Sequence, residues 1–202
     1  MSHLDFLGLS GSTSLPSRTR SLVEEAVSRA VALYGGRSKV VDLSQFGPGF
    51  AAARTVADLS GGARDIVEQM TQAKALIIAA PVYKGSYPGL FKHLFDLLEP
   101  EALREKPVLL AATGGGEKHA LMIEQHLRPL FSFFEAQSLA TAIYVSERDM
   151  CDGEIITEAV HDRLDRAVRQ FSPFFKQVQH DVVVAADFRR RREALSLSVS
   201  SL

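Results

Sequence analysis

Hydroxyl, glycine and proline residues gather in three places along the chain, each just after an apolar run. The first is Ser10-Gly11-Ser12-Thr13-Ser14-Leu15-Pro16-Ser17-Arg18-Thr19. Ser10, Ser12, Ser17 and Thr19 supply hydroxyls and Arg18 a guanidinium fork, beside the start of a helical pattern. Hydroxyls, a cation and the unpaired N–H groups of a helix N-terminus together suit a phosphate. The spacing fits neither G-x-x-x-x-G-K-[ST] nor G-x-G-x-x-G, which argues against a triphosphate loop or a dinucleotide fingerprint. A capped strand-to-helix turn would use the same residues with no ligand at all.

The second place is Pro81-Val82-Tyr83-Lys84-Gly85-Ser86-Tyr87-Pro88-Gly89. Ring faces, backbone donors and one ammonium group there could grip the edge of a flat heterocycle. A proline-bounded turn with its aromatics packed on the next helix is an equal reading. The third is Thr113-Gly114-Gly115-Gly116, where backbone without Cβ lets a ligand lie close. Each glycine costs roughly 1 kcal/mol against alanine in ordered structure, more than a mere connector needs.

Such loops need a scaffold that sets them side by side. Residues 4–9 read as a buried strand. Residues 17–34 read as a helix, with Leu22, Val23, Ala26, Val27, Ala30 and Val31 at helical spacing and Gly35-Gly36 as its stop. Further strands are expected at 38–43, 75–80, 107–112 and 139–145, and helices at 62–73, 88–98, 119–134 and 155–171. Residues 46–58 are irregular, and Pro129 should bend the fourth helix. The unbroken run Ala75-Leu76-Ile77-Ile78-Ala79-Ala80 suits a parallel strand covered on both faces. Five strands alternating with five helices predict a three-layer α/β sandwich. The loops after strands one, three and four then share the carboxyl edge, where doubly wound sheets bind ligands.

The 202 residues fit one domain, and 46% apolar with 23% charged residues is an ordinary globular composition. Residues 1–175 form the expected domain, and 176–202 read as a solvated, partly disordered or partner-docking tail. Val182-Val183-Val184-Ala185-Ala186 would add a strand there, ahead of Arg189-Arg190-Arg191-Arg192. A net charge of -1 and the lack of tryptophan argue against nucleic acid as a partner. No run approaches the ~20 apolar residues that span a bilayer. A lone cysteine, Cys151, and no basic leader lead us to expect a cytoplasmic protein without disulfides. His3, His93, His119, His126, His161 and His180 show no ligand spacing, so no metal is expected.

The three loops together resemble the NAD(P)H-dependent FMN reductases of the flavodoxin-like superfamily. More narrowly, they resemble the reductase components of two-component alkanesulfonate and methanesulfonate monooxygenases. The resemblance rests on Ser10-Gly11-Ser12 with Pro16-Ser17-Arg18-Thr19, on Pro81-Val82-Tyr83-Lys84 with Tyr87-Pro88-Gly89-Leu90-Phe91-Lys92, and on Ala112-Thr113-Gly114-Gly115. It covers about residues 4–175. It implies a flavodoxin-like α/β/α sandwich with a five-stranded parallel sheet in the order 2-1-3-4-5, and FMN at its carboxyl edge. The phosphate role then falls to Ser10, Ser12, Ser17, Arg18 and Thr19. The ring-edge role falls to Pro81, Val82, Tyr83 and Lys84, and the glycine-loop role to Thr113, Gly114 and Gly115. Gly116 and His119 are candidates for the nicotinamide side, although His119 fits a hydrogen-bonded helix start equally well.

Two departures stand out. Many relatives carry an arginine early in the phosphate loop where this chain has Thr13-Ser14, which leaves more of the anion binding to Arg18. In the alkanesulfonate-type reductase a tyrosine interrupts the helix after the glycine loop and helps form a π-bulge. Gln125-His126 stand there in this chain, closer to the methanesulfonate type, so bulge-dependent behaviour is not assumed.

The implied reaction moves a hydride from NADH or NADPH to flavin N5, chemistry carried by the cofactors without a side-chain acid–base pair. Reduced FMN would pass to a partner monooxygenase in organosulfur metabolism, from a homodimer or homotetramer. An NAD(P)H quinone or azo reductase with tightly held FMN is the nearest alternative. A non-enzymatic electron carrier or binding domain is the other.

Overall fold

The computed structural model describes residues 3–176; the expected strand at 182–186 and the arginine run at 189–192 lie outside the described residues. Four parallel strands, β1 (Phe6–Ser10), β2 (Ser38–Asp42), β3 (Ala75–Pro81) and β4 (Pro107–Gly114), form most of one sheet. The fifth position is shared by two short segments, β5 (Gln137–Ser138) and β6 (Ile143–Ser146), both parallel to β4. The order across the sheet is 2-1-3-4-5, the flavodoxin-like order.

The helices are α1 (Arg18–Tyr34), α2 (Gly61–Gln72), α3 (Gly89–Asp96), α4 (Arg128–Phe133) and α5 (Glu158–Arg169). Residues alternate across the strands into two cores. Phe6 and Ile77 join Leu22, Val27, Leu164 and Phe171 on the face of α1 and α5. Leu7 and Ile78 join Met70, Phe91, Phe95 and Phe131 on the face of α2, α3 and α4. Burying one such side chain stabilises the fold by roughly 1.5–3 kcal/mol. The runs of β3 and β4 are unbroken because both faces are covered. Gly8 lets α1 press on β1, since a Cβ there would come 2.5 Å from Val23. That close approach brings the N-terminus of α1 to the carboxyl edge of the sheet.

Three expected boundaries change. The fifth strand is not continuous over 139–145: the Leu139 N–H still donates to the Val108 carbonyl of β4 at 2.9 Å, but Arg128 binds the Leu139 carbonyl and residues 140–142 leave the ladder. Ile155 pairs in an antiparallel hairpin of β7 (Met150–Cys151) and β8 (Glu154–Ile155), so the last helix begins at Glu158. The expected helix over 119–134 divides into a 3-10 turn (Glu117–His119), a π-helical segment (Ile123–Leu127) and α4. The π segment closes with the Arg128 N–H donating to the Ile123 carbonyl, immediately before Pro129. In a regular helix the Pro129 ring would meet the carbonyl of Gln125, and a wider turn there relieves that clash. Among the described residues, no helix is long and apolar enough to cross a membrane.

Candidate active site at the carboxyl edge of the sheet

Ser10 ends β1 fully buried, level with Asp42 of β2 and Ala79 of β3. Gly11 turns the chain there, its N–H donating to the Ala79 carbonyl at 2.7 Å. A Cβ on Gly11 would come 2.5 Å from Phe91, so this glycine serves packing. The hydroxyl oxygens of Ser10, Ser12 and Ser17 accept N–H bonds from Ser12, Ser14 and Arg20. An oxygen that accepts in this way keeps its own hydrogen to give to an anion. Ser17 is the N-cap of the 17-residue helix α1, whose positive dipole end faces the same loop.

Thr19 is buried in the first turn of α1, and its hydroxyl lies 2.7 Å from that of Thr113, also buried, at the end of β4. One of the two donates to the other, which leaves one hydroxyl hydrogen at this junction for a further acceptor. The Thr113 carbonyl in turn accepts the Val82 N–H at 2.8 Å. Thr113 therefore ties all three predicted loops together.

In the second loop, Tyr83 and Ser86 exchange backbone bonds of 2.7 and 3.1 Å across a two-residue turn. Lys84 and Gly85 both take positive φ, 52° and 87°, as such a hairpin turn requires. The N–H groups of Val82 and Tyr83 are thus spent inside the chain. Those of Lys84 and Gly85 at the tip have no bonded partner among the described residues. Tyr83 is half exposed, whereas Tyr87 packs on Phe91 with ring centroids 5.4 Å apart. The packing reading of this loop therefore holds for Tyr87, and Tyr83 is left facing solvent.

In the third loop, Tyr144 of β6 donates its hydroxyl to the Gly116 carbonyl at 2.6 Å. A Cβ on Gly114 would overlap that hydroxyl, whereas one on Gly115 or Gly116 would meet nothing within 4 Å. Burial holds the Tyr144 phenol above its usual range, so it stays a donor. His119 lies in the 3-10 turn that follows, partly buried, its N–H donating to the Gly116 carbonyl at 3.4 Å.

Charge at this edge is mostly paired. Arg18 bridges to Glu147 at 2.8 Å, on the turn that follows β6. Arg20 is bound to buried Asp42 and to Glu24; burial pulls the guanidinium down, but these two carboxylates outweigh it and raise it. No group of three or more histidine, cysteine or acidic residues that could hold a metal occurs among the described residues.

The family described as NADPH-dependent FMN reductase matches residues 4–149. The NADH-dependent FMN reductase SfnF of Pseudomonas fluorescens is 41% identical over 172 residues, which are 85% of this chain and 92% of that protein. An FMN reductase (NADPH) of Pseudomonas aeruginosa is 38% identical over 169 residues, 84% of this chain and 91% of its own. The solved apo form of EMOB, an NADH:FMN oxidoreductase, superposes with a TM-score of 0.73 at 26% identity, covering 87% of this chain and 92% of its own. This chain belongs to the NADPH-dependent FMN reductase family. It is an NAD(P)H:FMN oxidoreductase, with FMN and a reduced nicotinamide nucleotide as its reactants.

Within this FMN reductase, Gln125-His126 lie inside the π-helical segment, so the wider turn forms without the tyrosine. His126 faces the second loop, its Nδ1 3.3 Å from the Ser86 hydroxyl and its ring edge-on to Tyr87. The sequence reading passed over Tyr144 and Glu147. An aromatic in an apolar strand and a glutamate after it carry no local mark, and only pairing with β4 and α1 gives them a place.

Proposed function

We propose that this enzyme holds FMN across the three loops and releases it, once reduced, to a flavin-dependent monooxygenase of sulfonate or organosulfur metabolism. The observation that carries the site assignment is Thr113, whose side chain and carbonyl bind the first and second loops from the third. Those bonds set a hydroxyl-rich helix start, a turn with open N–H groups and an open glycine backbone along one edge. This donor set fits a flavin mononucleotide: hydroxyls, Arg18 and the α1 dipole for the phosphate, the Lys84–Gly85 tip for the ring edge, and Gly115 beside the ring.

When bound, FMN supplies the hydride-accepting chemistry, and the protein supplies position. Ser10, Ser12, Ser17 and Thr19 direct hydroxyl hydrogens to the phosphate, and Arg18 adds charge. Pro81, Val82, Tyr83 and Lys84 form the turn along the ring edge, and Thr113, Gly114 and Gly115 back it. Gly116 and His119 stand on the nicotinamide side. No residue has to move a proton, and binding in register supplies the rate through proximity. We assign the enzyme to the cytoplasm, on its single cysteine, and to a homodimer or homotetramer.

Anaerobic stopped-flow oxidation of NADH and NADPH, with and without added FMN, tests the supplier role. Turnover limited by added FMN, with little flavin retained after dialysis, is expected. Full flavin retention and steady quinone reduction would instead assign a quinone reductase. No oxidation of either nucleotide with excess FMN would leave a binding domain.

A further inference from the structure

We propose that Glu147 is a built-in competitor for the FMN phosphate: by holding Arg18 it weakens the phosphate end of the site and favours flavin release. The inference rests on the phosphate position proposed above and adds an affinity-setting residue to it.

The local inventory of charge leads there. Two cations stand in the first turn of α1, Arg18 and Arg20. Arg20 is committed to Asp42, whose side chain is only 5% exposed, and to Glu24 at 2.7 Å. Thr13 and Ser14 contribute no charge. Within this turn an incoming phosphate can therefore recruit only Arg18, and Arg18 already binds Glu147. The glutamate is not on a loose segment. It opens a 3-10 turn (Glu147–Asp149) in which the Ser146 N–H and hydroxyl both donate to Asp149, at 2.8 and 2.7 Å. Burial pushes the Asp149 carboxyl up, but those bonds and one from Thr157 outweigh it and hold it below its usual range. The turn thus stays braced at neutral pH.

The pair itself is open to exchange, with side-chain exposures of 45% for Arg18 and 58% for Glu147. An exposed ion pair of this kind is worth no more than about five-fold in an equilibrium constant. A phosphate dianion that shares or takes Arg18 also meets the Glu147 carboxylate as a like charge. Both effects act on the phosphate and neither acts on an uncharged flavin. A flavin that must leave as product gains from such a brake on affinity.

The test titrates the full chain with FMN and with riboflavin, by flavin fluorescence at low salt, for wild type, Glu147→Gln, Arg18→Ala and the double variant. Glu147→Gln is expected to tighten FMN by roughly two- to five-fold and to leave riboflavin unchanged. On the Arg18→Ala background the gain should fall below about two-fold, because no arginine remains to be released. No gain from Glu147→Gln, an equal gain for riboflavin, or a gain undiminished without Arg18 would each overturn the proposal. If Arg18→Ala weakens FMN but Glu147→Gln does nothing, the competitor role alone fails. If Arg18→Ala leaves FMN binding unchanged, the phosphate position has failed and the competitor role with it.

Discussion

The loop proposed for the phosphate and the two proposed for the ring reach the same edge of the sheet by different means. The first is held by side chains: three serine hydroxyls accept backbone N–H bonds, and a buried threonine pair anchors the helix start. The ring side is held chiefly through main chain, by Val82 to Thr113, by the Tyr83–Ser86 exchange and by the Gly116 carbonyl that Tyr144 grips. The contrast suits the two ends of the ligand. A phosphate needs donors and charge that residue type provides, whereas a flat ring needs clearance, which glycine backbone provides. A single side-chain change should therefore act selectively on the phosphate side. On the ring side, only a change that moves backbone should be severe.

Gly114→Ala offers the hardest blow to that contrast. Its Cβ would overlap the Tyr144 hydroxyl and drive the ring and the loop apart. Overpacking of this kind costs about 1–3 kcal/mol of stability, and because it displaces the loop backbone, FMN and riboflavin should both bind more weakly and to the same degree. Adding Tyr144→Phe should recover part of the loss by removing the atom in the way. Equal binding by wild type and Gly114→Ala would break the comparison.

Thr113→Val should come next, read as stability. It leaves the buried Thr19 hydroxyl without its partner, at a cost of about 1–2 kcal/mol, or a fall in Tm of roughly 3–6 °C. Thr19→Val combined with Thr113→Val should restore much of this, because the one unmet hydroxyl is gone. Differential scanning calorimetry reads both variants.

Tyr144→Phe alone should be milder. Losing one hydrogen bond to the Gly116 carbonyl costs about 1 kcal/mol of stability, and any weakening of flavin binding should be shared equally by FMN and riboflavin. A loss confined to FMN would move Tyr144 to the phosphate side.

The smallest effect concerns acid. The folded-state pKa of Asp149 is lowered, so its contribution is full above the ordinary carboxylate range and is lost as pH falls through the folded value. Asp149→Asn should lower Tm modestly at pH 7, where the carboxylate contributes in full, and the gap to wild type should close as pH falls below about 4. A large change at neutral pH would show that the turn carrying Glu147 depends on more than this carboxylate.

Much of the fold was legible because its elements are local. The apolar runs of β1, β3 and β4 and the helical stripe of α1 announce themselves within a few residues. The turn and cap bonds of Ser10, Ser12 and Ser17 were legible for the same reason, since a cap and a turn bond to their own neighbours. The second loop was only half legible. Its residues mark a turn, but which N–H groups remain open depends on Thr113, which comes from another strand. The π-helical segment escaped because Pro129 announces a disturbance without saying how the helix absorbs it.

Residue order alone determined the layers and the position of three loops at one sheet edge. These follow from periodicity and residue type, which act over one or two turns of chain. Tertiary structure decided that Thr19 meets Thr113, that Tyr144 closes over the glycine loop, and that Glu147 reaches Arg18. Each of those contacts joins segments far apart in the chain. Their meeting depends on strand order and on the depth to which α1 packs on β1, and no local pattern of residues encodes either one.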